Sequence, residues 1–560
     1  MLRRSTPQAL PPRWSRWPRR ALLSCRLLVR RATRAARRSP LDAALALAVL
    51  GASLYVLAYP LAVVRYPPMT DLPFHAAQTS GLLHYADPAW HFREQFTLQP
   101  LAVPYLSMYA IGALLMIFLP PVVAMKIAAA AMLALLPAGL AVMFHGMKRS
   151  PLLGVLGLGV AWCNLTHWGF LNFVGALGLF AMVIGLTLRL VDRPSPRRQL
   201  ALGVALVALF FTHIFRLPFG LCAVIGTAIL VYPATRRLRP IVLPLLPSIA
   251  LFAAWQRARP ATLRGGLGPL ELRWERLREI PNLLFTGFND PAEAIAAQRA
   301  GRLLVAALLA VVAARIVERV GGDRGDGADP ERRRRLAFAA GAAAAPVACA
   351  AVFLALFLVL PMEIGLWWYV YPREITAALF IALGAFPDLP ASPWARAPVV
   401  LGLCAAAIGV GAVVADNYRR FDAATGDFHA VTRDIPHAPK LLYLVFDHRG
   451  STRTTTPFIH LPAWVQAERG GWLSFHFAVW SSSPLAYRPQ GEPGAVVPPP
   501  VPLRWEWTPQ KFDLKRNGAF FDWFLVRDTR DPGRLFAADP AIQRVRHEGT
   551  WWLYRRTPAP

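Results

Sequence analysis

The chain has 560 residues, 55% hydrophobic and 17% charged, with 61 Lys+Arg against 32 Asp+Glu for a formal net charge of +29. Soluble proteins carry about a quarter charged residues, whereas here apolar runs near membrane-span length recur along the sequence, which excludes an ordinary soluble fold. The basic charge lies in short loops between those runs, the positive-inside pattern, and not in a stripe on a soluble domain, so nucleic acid is not an expected partner.

In chain order, residues 1–41 form a basic segment with twelve arginines and no acid before Asp42. They do not read as a cleaved leader, because the basic region is long and the apolar run that follows is long enough to span. Expected spans are 42–64, 123–145, 151–167, 170–190, 200–215, 217–233, 240–255, 302–317, 337–360, 373–386 and 398–415. The loops 145–151, 191–199, 232–240 and 317–335 are rich in basic residues and all face inward if the N-terminus is cytoplasmic. The stretch 104–119 is apolar, but a crossing there would invert every later loop, so it reads as a re-entrant or interfacial helix. The expected class is therefore an α-helical polytopic membrane protein of about eleven spans, with 42–415 as the membrane domain and 65–122 as its large outer loop. Alanine- and arginine-rich composition fits a bacterial inner-membrane protein.

Composition changes after 416. Residues 416–560 hold no span-length run and are expected to form a small extracytoplasmic α/β domain, with strands near 440–447, 472–480, 520–528 and 549–556. A short helix is expected over 462–470 and a proline-rich loop over 492–502. The five cysteines are scattered through apolar sequence without CxxC spacing and suggest neither zinc nor a disulfide framework.

Ionisable groups collect on the outer side, where each is a candidate for function. The outer loop contributes Asp71, His75, His84, Asp87, His91, Arg93 and Glu94. Asp71 in "TDLPFH" is either a helix N-cap or a catalytic or ligand-binding carboxylate. His75, one helical turn on, shares its face and would orient it or make an interfacial hydrogen bond; a metal is less favoured, as no third ligand has recognisable spacing. Asp87-Pro88 is a turn starter, while His91 and Glu94 offer a second acid or a phosphate contact. His213 and Arg216 in "THIFR" suit an anionic headgroup, or Arg216 snorkels. Arg373 at a helix start opposes the helix dipole and calls for an anion, either Glu374 or a lipid phosphate. Trp367 and Trp368 read as an interfacial belt, and His448, His460, Trp464, Glu468 and Arg469 as a polar loop that covers the site or lies on the surface.

Together, the "DLPFH" opening of the outer loop, "GFLNF" (169–173) between two spans, His213, Arg373 and a C-terminal outer domain resemble the GT-C class of membrane glycosyltransferases. That class includes protein O-mannosyltransferases and aminoarabinose transferases. The chain departs from its better-studied members in that Leu72, not a second acid, follows Asp71, and no WWDYG-type motif is present. The resemblance implies inverting transfer of a sugar from a polyprenyl-phosphate donor to a glycan, lipid or protein acceptor at the outer leaflet. It implies Asp71 as general base, with His75, Asp87, His91, Glu94, His213, Arg216 and Arg373 as substrate-binding candidates. No cofactor is expected, and a divalent metal has no support in the spacing. Two other classes are compatible with the sequence: a transporter or flippase for lipid-linked anions, which would be expected to carry internal repeats, and an inactive assembly subunit on the same scaffold.

Overall fold

The computed structural model describes residues 39–99, 105–258, 269–285, 287–320, 329–365, 367–450, 452, 455–480, 483–502 and 504–557. All but the last three residues of the expected basic segment 1–41 lie outside them. Among the described residues seven helices are long and apolar enough to cross a membrane: Pro40–Ala62, Pro121–Gly146, Leu171–Asp192, Arg239–Ala258, Pro291–Glu318, Pro330–Val359 and Pro393–Ala424. Shorter helices, Pro196–Thr212, Arg216–Leu230 and Val370–Ala382, complete the bundle.

One expectation is corrected. The pass expected over 151–167 is not one α-helix: it is a 3-10 helix, Pro151–Val160, followed by the short α-helix Asn164–Trp168. Its greater rise, about 2 Å per residue, carries the chain from one end of the bundle to the other in few residues. Close packing holds it there, because Gly154 and Gly157 lie directly against the backbone of Leu136 and Pro137. The 104–119 stretch, expected as a re-entrant or interfacial helix, forms the short helix Leu106–Met116. Eleven residues of α-helix reach about 16 Å, too short to cross. The next helix begins at the same end, since Lys126 donates to the Val64 carbonyl at the exit of the first span.

The four basic loops meet at one end of the bundle. Lys148 pairs with Asp192 and Arg237 donates to the Asp192 carbonyl. Arg334 reaches the Ala234 carbonyl, and Arg315 pairs with Asp388. The start of the first span joins them through Arg396–Asp42 at 2.7 Å. Asp71, His75, His213 and Arg373 gather at the opposite end.

At the centre, Pro121–Gly146 and Leu171–Asp192 pack backbone to backbone. A methyl on Gly139 would sit 2.0 Å from the Gly178 carbonyl oxygen, and one on Gly146 would sit 2.4 Å from that of Gly185. Both pairs repeat at seven-residue spacing, giving the small-residue seam that membrane helices use for close approach.

The C-terminal domain contains a mixed five-stranded sheet in the order β3 (Trp472–Leu473), β2 (Lys440–Val445), β5 (Trp523–Arg527), β7 (Trp551–Arg556) and β6 (Ile542–Glu548). Strands were expected in four of these places. The expected helix is Ala463–Arg469. A separate antiparallel pair ties the domain to the outer loop: β1 (Phe96–Leu98) lies along β4 (Leu485–Tyr487).

Gly178→Val would force the central seam apart. We expect it to destabilise the bundle by at least the ~1–3 kcal/mol typical of overpacking, seen as a lower melting temperature of the detergent-solubilised protein. Gly51→Val, in open space on the first span, is the control and should leave it unchanged.

Candidate functional site

The first span ends at Ala62, the prolines of "YPPMTD" follow, and the chain is then pinned by main-chain bonds before a new helix starts. Thr70 N–H donates to the His167 carbonyl (3.0 Å) and Asp71 N–H to that of Trp168 (3.1 Å). Helix Leu72–Leu83 follows, with Pro73 in its first turn. Asp71 occupies the N-cap position, but its side chain makes no capping bond, so capping does not explain it. Gly169 sits against it at φ +89°, where a side chain would be strained and a methyl would lie 2.9 Å from the Asp71 nitrogen. The "GFLNF" glycine is therefore the seat on which Asp71 rests.

The freed carboxylate faces the C-terminal domain. His460 Nδ1 lies 3.2 Å from Asp71 Oδ1 and 3.1 Å from the Thr70 carbonyl oxygen. Thr456 N–H donates to Thr70 Oγ1 at 3.2 Å, so the 456–460 segment is docked on 70–71. His460 belonged to the stretch read from sequence as a polar loop; it is buried, as is Trp464, which packs on Tyr66.

Asp71 and His460 open into a cavity of about 540 Å³. Along one wall His75 Nδ1 lies 2.8 Å from the Tyr109 hydroxyl. Tyr109 donates to Gln78 Oε1, and Gln78 donates to Ser483 Oγ at 2.7 Å. Burial pulls the His75 imidazole down to about 4, partly offset by the Asp71 charge, so it is neutral at ordinary pH and cannot serve as a cation there.

The cation is Arg373. It lines the cavity, donates one bond to the Trp368 carbonyl (3.1 Å) and lies 4.3 Å above the Phe170 ring. Its Nε has no partner, and among the described residues no carboxylate pairs with it. His213 stands in the same cavity, edge-on to Tyr105 and Phe173, with Nδ1 buried and unpartnered. Trp367 and Trp368, expected as an interfacial belt, line the cavity instead.

Arg216, by contrast, is not available. It makes a bidentate bond with Glu374 (Arg216 Nη1 to Oε2, 2.8 Å), both side chains almost fully buried, and its guanidinium is ringed by Phe173, Phe219 and Phe353. The partner expected for Arg373 is thus taken by Arg216, and the lipid-phosphate role expected of Arg216 is withdrawn. Asp87, His91 and Glu94 are likewise outside the cavity. Asp87 caps the turn Pro88–Trp90 through Ala89 N–H (3.0 Å), and His91 and Glu94 pair with each other at 2.6 Å near Trp472. His84 stacks on Trp90. These residues build the outer loop; they do not reach Asp71.

One acid was missed altogether. Glu506, in the turn Trp505–Trp507, lines the cavity with Oε2 buried and unpartnered. Burial holds its carboxyl above the usual range, and the nearby Asp71 charge adds to this against the opposing pull of His460. At the mouth, Arg504 pairs with Glu363 at 2.8 Å. Among the described residues no three His, Cys, Asp or Glu side chains are grouped so as to hold a metal ion.

The fold is similar to that of ArnT from Cupriavidus metallidurans in the apo state, with a TM-score of 0.50 and 12% identity, covering 91% of this chain and 98% of that one. A crystal structure of the same protein bound to undecaprenyl phosphate aligns over 92% and 98% of the two chains, with 12% identity and a TM-score of 0.49. No family model matches the sequence, and no curated protein matches it. At this identity the likeness concerns the fold alone, a polytopic helical membrane fold with a small C-terminal sheet region, as expected from the sequence.

The buried Arg216–Glu374 pair gives a test of the assignment. Arg216→Met leaves a carboxylate alone in an apolar site and should cost about 3–5 kcal/mol. The Arg216→Met/Glu374→Leu double variant should recover most of that loss in thermal-melting measurements.

Proposed function

We propose that this chain, whose fold is that of the GT-C membrane glycosyltransferases, transfers a sugar from a polyprenyl-phosphate donor to an acceptor hydroxyl. The observation that carries the reading is one cavity holding both a carboxylate without a capping bond and an arginine without a carboxylate. Sugar transfer from a lipid phosphate needs both. Asp71 takes the proton of the acceptor hydroxyl as its oxygen attacks the anomeric carbon. The carbon–oxygen bond to phosphate breaks, and the polyprenyl phosphate leaves with the electron pair. Arg373 meets that growing negative charge, with His213 beside it. A single displacement inverts the anomeric centre.

Aromatic walls from Trp168, Phe170, Trp367 and Trp368 suit a sugar face or the first isoprene units of the lipid. The charge layout supports an outer-leaflet reaction: the basic loops gather at the end opposite the cavity, which under the positive-inside rule is the cytoplasmic end. The C-terminal domain is then extracytoplasmic and the acceptor arrives from that side.

Membranes containing the protein should consume one of a panel of radiolabelled polyprenyl-phosphate hexoses and pentoses. Asp71→Asn should lower that rate by about 10²-fold or more, and Arg373→Met by about 10²-fold, with normal protein levels. Consumption unchanged by Asp71→Asn would remove Asp71 as the base, and no consumption of any donor would defeat the reading. For orientation, a cysteine at exposed Arg534 should react with a membrane-impermeant maleimide in intact cells. Labelling only after lysis would reverse the topology.

A further inference from the structure

The C-terminal domain presents two polar atoms to the cavity that the fold itself leaves unused. His460 is 4% exposed and Glu506 is 7% exposed, so both have lost water. His460 Nε2 and Glu506 Oε2 are buried without any hydrogen-bond partner, and both residues line the cavity with Asp71. A buried polar atom left unsatisfied is costly, and two facing one chamber mark a place where a ligand supplies the missing bonds. The chemistry of that ligand is constrained. Asp71 and Glu506 offer oxygens, and imidazole Nε2 accepts when Nδ1 carries the proton, as the bonds from Nδ1 to Asp71 and the Thr70 carbonyl require. The group that fits is therefore a hydrogen-bond donor, a hydroxyl-bearing molecule, and not an anion.

We propose that the C-terminal domain forms the acceptor half of the reaction centre: His460 orients the Asp71 carboxylate, and Glu506 binds a hydroxyl of the molecule that reacts there. This rests on the glycosyltransferase reading above and extends it. Donor phosphate and acceptor hydroxyl then occupy opposite ends of the cavity, Arg373 and His213 at the membrane end and Asp71, His460 and Glu506 at the domain end. His460 is a positioning residue, acting through Asp71. Its Nδ1 spans Thr70 and Asp71, so the carboxylate is fixed to the chain that carries it by a residue nearly 400 positions later.

The test uses pairs of substitutions that separate a lost contact from a lost fold, read as donor consumption in membranes with endogenous acceptor. Asparagine places an amide N–H where His460 has Nδ1, whereas glutamine places it near Nε2. His460→Asn keeps the hold on Asp71 but loses the Nε2 acceptor, so it should slow consumption by no more than about tenfold, whereas His460→Gln should lower it by about 10²-fold, the scale of a misplaced reacting group, at equal melting temperature. Likewise Glu506→Leu should slow consumption at least tenfold and Glu506→Gln should restore most of it, since the amide still pairs with a hydroxyl. Equal rates for His460→Asn and His460→Gln, or a Glu506→Leu protein as fast as wild type, would overturn the proposal. Those results would leave the glycosyltransferase reading standing as long as Asp71→Asn is inactive. An active Asp71→Asn protein would instead defeat the base assignment itself.

Discussion

A guanidinium and a carboxylate buried together among phenyl rings set the geometry of this site. Neither Arg216 nor Glu374 is tolerable alone in that surrounding, so the helices that carry them, Arg216–Leu230 and Val370–Ala382, must lie side by side at one depth. Because Glu374 is committed, its neighbour Arg373, about 100° further round the helix, turns toward the cavity with no acid to neutralise it. The neutral His75 and the aromatic walls follow the same rule: charge is kept only where it has either a partner or a ligand to expect. One pair is structural, and among the described residues the arginine beside it has no carboxylate partner, which is why it is the one proposed to meet the substrate.

The second organising feature is the way Asp71 is held. Its position depends on main-chain bonds to His167 and Trp168 and on the absence of a side chain at Gly169, not on its own carboxylate. That arrangement leaves both carboxylate oxygens for His460 and for substrate. It also explains why a residue at a helix N-cap position forgoes capping. Preorganisation of this kind, in which the scaffold holds the reacting group in place before the ligand arrives, is what gives a positioned base its advantage over one in water.

Much of this was legible in the sequence because the membrane imposes simple rules. Span length, loop charge and the break in composition near 416 pointed to the helical bundle, to the basic loops that gather at one of its ends and to a separate C-terminal domain. Asp71, His75, His213 and Arg373 stood out as polar residues where polar residues are costly, and all four line the cavity. The sequence was misleading where local spacing stands in for three-dimensional distance. His91 and Glu94 are close to Asp71 in the chain, yet they satisfy one another; Arg216 looked free because its partner lies 158 residues away. Glu506 and the burial of His460 were invisible for the converse reason: their surroundings are made by docking a separate domain, and no periodicity in "RWEW" or "FIHLP" announces it. The 3-10 pass over 151–160 has the composition of any apolar helix, and only its glycines, read against Leu136 and Pro137, distinguish it.

The pairing of β1 with β4 has a consequence for how the molecule is made. Residues 96–98 leave the ribosome early, but their partners at 485–487 are synthesised only after every membrane pass is complete. Until then the outer loop has an unpaired strand, and Asp71 has neither His460 nor an enclosed chamber. Contacts so distant along the chain form late and slowly. The carboxylate therefore becomes competent at the last stage of assembly, and a chain cut short before the C-terminal domain carries its acid on an open surface, with nothing to orient it.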